Sequence, residues 1–216
     1  MPTRYRREGP GVEFDRVVFF TDAVFAIAIT LLVVEVGLPE VAEGLDRDSA
    51  ANLLDATRDK LAVIVSFFVG CFAIGGYWLA NHRFTARLGS IDPPQIAIVV
   101  LYLAFVAFLP FAVGTLGEYF SNPLSVAIFA VNLGIVSTME VVLFWRAGRA
   151  ELFDPAIPAD VQRWAMVMSA SPVAVFALSI PIAFIRPWLG VLTWTLSVPL
   201  QILLSRWRPA EAAAYE

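Results

Sequence analysis

The chain carries little that would support covalent chemistry. Its 216 residues include one cysteine, Cys71, and one histidine, His82. That excludes an intrachain disulfide and the clustered Cys or His ligands of a structural metal site. No G-x-S-x-G elbow, H-E-x-x-H pair, glycine-rich phosphate loop or close pair of carboxylates is present, so the common hydrolytic and phosphoryl-transfer chemistries have no carrier. Charge is scarce as well. Asp, Glu, Lys and Arg make up 16% of the residues and sum to −4, which leaves no basic face to meet nucleic-acid phosphates. No internal repeat is visible, and a secondary transporter would be expected to show inverted repeats and interrupted helices.

Apolar residues fill the space that these absences leave. They are 59% of the chain and the mean hydropathy is +0.74, well above a soluble domain. The apolar runs are continuous rather than alternating, which predicts membrane helices and excludes a barrel. Six spans are expected in one domain over 1–216, at roughly 13–38, 57–84, 93–118, 123–147, 161–185 and 187–206. Arg4, Arg6 and Arg7 suit the start of a signal peptide, but the following run is too long and no small-residue cleavage site closes it. It reads as a retained first span behind a flexible tail at 1–11. Between Glu40 and Ala56 an acidic, solvated loop is expected. Asp92 and Asp160 read as helix caps, Pro93 fits a first turn, and Pro110 predicts a kink. Along the second span Ser66, Gly70, Ala73, Gly76 and Ala80 form a small-residue face suited to close helix approach, read here as support for assembly. Gly75-Gly76-Tyr77 lacks the loop that a carbonyl filter needs and reads as helix packing.

Basic residues set the orientation. With six spans one side holds Arg4, Arg6, Arg7, Arg16, Arg83, Arg87, Arg146, Arg149, Arg163, Arg206 and Arg208, against Arg47, Arg58, Lys60 and Arg186 on the other. The excess predicts cytoplasmic termini in a multi-pass protein of the cell membrane. Trp145, Trp164, Trp188 and Trp207 fall at span ends, as an interfacial belt would.

The stretch from Arg16 to Pro39 is the most informative. It places Asp22 one to two turns inside an apolar run, and an ionisable residue there marks a partner or a functional site. Beyond it Ile27, Thr30, Leu31, Val34 and Glu35 share one helical face, which could meet lipid, protein or water. By periodicity alone the Ile27, Leu31, Val34 stripe is core packing.

Arg16-Val17-Val18-Phe19-Phe20-Thr21-Asp22 followed by AVFAIAITLL resembles the RxxxFSD signature opening the channel domain of the lysosomal potassium channel known as transmembrane protein 175 and its prokaryotic homologues. Thr21 stands where that family has Ser. Tyr77-Trp78-Leu79-Ala80-Asn81-His82-Arg83-Phe84 resembles the end of the family's second helix. The resemblance implies an all-α, six-helix channel in which the first helices of four subunits line the pore. Matched by position, Ile27, Leu31 and Val34 would form the constriction, with Thr30 on its flank. Thr30 either replaces a water lost by the ion or bonds back to its own helix. Glu35 either joins a carboxylate ring at the outer mouth or is solvated or paired with Lys60 or Arg58. Arg16, Phe20, Thr21, Asp22, Trp78, Asn81 and His82 are expected to form a polar group that holds the pore helices. Glu140 receives no role. The expectation is therefore a homotetrameric, potassium-preferring cation channel in a lipid bilayer, without cofactor, metal or nucleic acid. A proton channel or leak of the same fold is the alternative, and a secondary transporter is the less favoured one.

Overall fold

The structure is a computed structural model that describes residues 4–7 and 12–215. Of the tail expected at 1–11, residues 1–3 and 8–11 lie outside the described residues. Residues 4–7 are bound: β1 (Tyr5–Arg6) pairs antiparallel with β2 (Ser90–Ile91), with Tyr5 opposite Ile91.

Among the described residues six helices are long and apolar enough to cross a bilayer, so the chain is a multi-pass integral membrane protein. The first is α1 (Glu13–Val36), with Glu13 and Asp15 in its first turn, where acidic groups complement the helix dipole. It ends at Gly37, whose φ of +62° few residues other than glycine adopt. The segment expected as loop carries a separate helix, α2 (Ala50–Asp59), because Ala50-Ala51-Asn52-Leu53-Leu54 is helix-favouring and breaks only at Lys60 (φ −84°, ψ 0°). The second span, α3 (Leu61–Ala86), therefore starts later than expected. The third span is broken, as Pro110 predicts, into α4 (Pro93–Ala107) and α5 (Leu109–Glu118) about Phe108. Then follow α6 (Pro123–Arg149) and α7 (Ala159–Ile185). The last span is α8 (Pro187–Thr193), a 3-10 turn and α9 (Ser197–Ser205). Asp92 caps α4 by accepting the Gln95 N–H. Asp160 is not the cap of α7, which begins at Ala159 behind Pro158, so its carboxylate sits in the first turn.

In lipid the chain gains little from hiding apolar surface, and close contact must hold the helices together. The glycines show where. A Cβ on Gly70 would stand 2.7 Å from Val113 Cγ2, and one on Gly117 would stand 2.8 Å from Val63 Cα. The α3–α5 interface is thus near backbone contact. Ser66 and Gly70 are spent inside the protomer, while Gly76 on the same face is exposed. Helix α1 packs on α3, α4 and α5, α6 packs on α4 and α5, and α7 leans on α6 with α8 and α9 behind it.

The end of the bundle where α1 begins is tied by polar contacts. Arg7 N–H donates to Gly89 O at 3.0 Å, its guanidinium to Ala86 O at 2.6 Å, and Arg4 to Ala150 O at 2.8 Å. Beneath them Arg146 donates to Asp92 Oδ2 at 2.8 Å and to Gln95 Oε1 at 2.9 Å, while Gln95 Nε2 reaches Leu143 O at 3.1 Å. Asp92 and Gln95 are buried. Burial alone would push the Asp92 carboxyl up. The Arg146 hydrogen bond, the Gln95 N–H and the charges of Arg146 and Arg4 outweigh it and hold the carboxyl below the usual range.

A lowered folded pKa means that the node stabilises the fold above the unfolded carboxylate value of about 3.9 and stops doing so as pH falls through the lower folded value. Arg146→Met strands a buried carboxylate and should cost about 3–5 kcal/mol near pH 7. Thermal melts of wild type and variant in detergent should lie furthest apart at neutral pH and converge on acidification below pH 4. A gap that does not change with pH would show that charge pairing is not what Arg146 contributes.

Candidate functional site

The two sides of α1 have opposite surroundings. Phe14, Thr21, Phe25, Ala28 and Leu32 are buried against the rest of the protomer. Across the helix Ile27, Leu31 and Val34 are 57%, 44% and 70% exposed, and Ala23 and Thr30 are exposed with them. Thus the stripe is not core packing within one chain. The Thr30 hydroxyl donates to Ile27 O at 2.9 Å, so its proton is turned into its own helix while the oxygen keeps acceptor capacity.

Glu35 lies one turn beyond Leu31 and is exposed. Its carboxylate runs along the α5 backbone, so that a Cβ on Gly114 would meet Oε2 at 2.5 Å. Neither pairing foreseen for it is made among the described residues. Arg58 bonds Asp55 at 3.0 Å, and Lys60 Nζ lies near Gly37 instead.

The polar group expected to brace α1 divides in two. On the α3 side Trp78 Nε1–H donates to Asp22 Oδ1 at 2.9 Å, and the His82 ring stacks on Trp78 at 5.4 Å between centroids. On the α4 side Arg16 and Phe20 line a cavity of about 360 Å³ with Tyr5, Ile96 and Val100. Arg16 therefore does not compensate Asp22. Six residues at 3.6 per turn leave the two about 120° apart around α1. Asn81 is buried, and its carbonyl accepts from Thr85 Oγ1 at 2.8 Å. It makes no hydrogen bond to Asp22 among the described residues. Thr21 is also buried and donates to Val17 O at 2.9 Å, which spares α1 an unpaired hydroxyl on its packed side.

Two polar constellations escape sequence reasoning. One is the Asp92–Gln95–Arg146 node, of which only the cap was legible. The other surrounds Glu140, whose Oε1 accepts from Tyr102 at 3.2 Å. One turn away the Tyr77 hydroxyl sits 2.6 Å from Ser137 Oγ and donates to Leu133 O at 3.2 Å. Glu140 was visible as an ionisable residue in a span, but its tyrosines come from α3 and α4. Gly75-Gly76-Tyr77 lies within unbroken α3, its carbonyls committed to the helix rather than to an ion.

A profile of the family described as endosomal/lysosomal potassium channel TMEM175 matches residues 16–110, which runs from the first turn of α1 to the start of α5. A potassium channel of Streptomyces collinus is 26% identical over 178 residues, covering 80% of this chain and 84% of its own. A potassium channel of Chamaesiphon minutus is 29% identical over 184 residues, covering 83% and 88%. The endosomal/lysosomal proton channel TMEM175 of Bos taurus is 26% identical over 111 residues, half of this chain and 23% of that one. Among solved structures, a lysosomal potassium-selective channel TMEM175 homologue from Chamaesiphon minutus superposes with a TM-score of 0.70 over 90% of this chain and 97% of its own, at 22% identity. A variant of the potassium channel MtTMEM175 superposes at 0.57 over 95% and 97%, at 20% identity. In sequence over most of its length, and in the path of its six spans, the chain resembles the prokaryotic homologues of the channel TMEM175.

Proposed function

We propose that the chain is one subunit of a potassium-preferring cation channel of the cell membrane, with four copies arranged so that their α1 helices enclose the pore and the termini face the cytoplasm. The observation that carries this reading is the bare stripe of Ile27, Leu31 and Val34 on a helix whose opposite side is buried. One helix cannot enclose a pore, whereas four around an axis can, and closed cyclic symmetry is the common oligomer form. The potassium channels that the chain resembles support the same reading.

A constriction of isoleucine and leucine offers an ion no ligands. Passage then depends on radius and on whether water persists in the narrow part. Potassium sheds part of its shell at lower cost than sodium, so the preference is moderate. The Thr30 oxygen is the polar atom nearest the constriction and accepts a water or an ion while its proton stays on Ile27 O. Glu35, exposed one turn further out, adds negative charge at the mouth. Similarity of half the chain to a protein described as a proton channel favours a second reading, in which the same pore also passes protons along transient water.

Mass measurement of the purified protein in detergent should give four chains, and liposomes holding it should release potassium. Monomers alone would remove the pore.

Ile27→Asn should wet the narrowest ring and raise sodium current relative to potassium. Reversal potentials unchanged in an assembled variant would take Ile27 out of the ion path.

Asp22 and Trp78 are assigned to the brace of the pore helix. A hydrogen bond to a charged group contributes about 1.5–3 kcal/mol. Trp78→Phe and Asp22→Ala should each lower the melting temperature or the oligomer yield and leave ion preference alone, with Asp22→Asn milder. A stable Asp22→Ala oligomer with altered selectivity would instead make Asp22 an ion site.

A further inference from the structure

Away from α1, a crevice of about 610 Å³ lies between α3 on one wall and α6, α7 and α9 on the others. Its size is that of an ordinary small-molecule site. From Phe72 to Arg83 along α3 it runs about 16 Å at 1.5 Å per residue. Glu140 lies within the α6 span and lines this crevice. Its Oε1 is taken by Tyr102, Oε2 accepts no hydrogen bond and the carboxyl forms no ion pair among the described residues. Trp194, on another wall, has a buried Nε1 without a partner among them. Thus the protein leaves an acceptor in the crevice unspent.

We propose that this crevice is a membrane-accessible binding site for a lipophilic monocation, an ammonium group carried on an apolar body, seated with its charge against Glu140.

The walls select for such a ligand. The rings of Phe72, Tyr77, Phe176 and Trp194 line the same crevice, and aromatic faces attract organic cations. The Tyr77 hydroxyl is held by Ser137 and Leu133, which fixes its ring. An inorganic cation would lose its water for a single carboxylate, without the several oxygens that such ions require. An ammonium on an apolar body brings its own apolar surface and up to three N–H donors. A carboxylate in an apolar setting is costly unless paired, and the ligand supplies the missing partner. Arg83 lies at the end of the crevice nearest the α3–α4 turn and repels a cation there, so the apolar body extends the other way, towards Phe72. Gly76 keeps the middle open: a Cβ built on it meets no atom within 4 Å.

The test is equilibrium binding of 4-phenylbutylammonium, and of the uncharged 4-phenylbutanol of similar shape, to the protein in nanodiscs at pH 7, corrected for empty nanodiscs. Saturable binding of the amine at least tenfold tighter than the alcohol is expected. Glu140→Gln should weaken the amine at least tenfold and bring it level with the alcohol. Gly76→Leu, which fills open space without displacing the carboxyl, should abolish saturable binding of both. Equal affinity for amine and alcohol, or undiminished amine binding in either variant, overturns the proposal. If Glu140→Gln fails to fold, Gly76→Leu decides alone, since amine binding that survives it lies elsewhere.

Discussion

Phe25 and Leu32 on α1 are fully enclosed by the protomer, with the Phe25 ring 6.1 Å from that of Tyr102 on α4, and this seating determines how the first helix is turned about its axis. In a bilayer the seat is specific rather than merely greasy. Lipid would cover Phe25 as readily as Tyr102 does, so what α1 gains is close packing. Because the helix is regular, fixing that side fixes the other. Ile27, Leu31 and Val34 are bare as a direct result, and a slip of one residue would turn them about 100° away. The near-contact of α3 and α5 at Gly70 and Gly117 supports the same seat from behind, since Leu32 also lies within reach of a Cβ on Gly70.

Around this seat the protomer has two parts of different character. Helices α1, α3, α4, α5 and α6 pack on one another, whereas α7, α8 and α9 attach mainly through α6. The Glu140 crevice is the seam between them. Polar groups there are partnered in pairs rather than as one network, with Tyr102 serving Glu140 and Tyr77 serving Ser137. At Gly76 the wall of α3 is open, since a Cβ built there meets no atom within 4 Å, unlike the tight contacts at Gly70.

The spans were legible because length and hydropathy are properties of single segments. The break at Pro110 and the cap at Asp92 were legible because proline and aspartate act on the backbone beside them. Helix α2 was hidden by its acidic context, which describes its solvent side and says nothing of its backbone. The polar brace was half legible. Sequence position places Asp22 and Trp78 in the same leaflet, but which donor reaches the carboxylate depends on helix rotation, and rotation brings Trp78 in and leaves Arg16 on the other flank. The small-residue face of α3 could be recognised as an interface, while its partner could not, because glycine records only that something comes close. Arg146, the least legible of all, joins Asp92 across 54 residues of chain.

The short strand at the head of α1 has a mechanical consequence. Residues 4–7 are stitched at Gly89, Ala86 and Ala150 to the α3–α4 turn and to the end of α6, so the chain is moored only a few residues before the first turn of α1. Arg7 also lies over the Phe14 ring of α1, 5.7 Å from its centroid, so a stroke of α1 along its axis would drag Phe14 from a fixed Arg7, whereas a tilt about that contact need not. In the proposed tetramer, motion that widens a ring of Ile27 side chains would thereby be steered towards tilting the helix, like a mast held at its foot, and away from pulling it through the membrane like a piston.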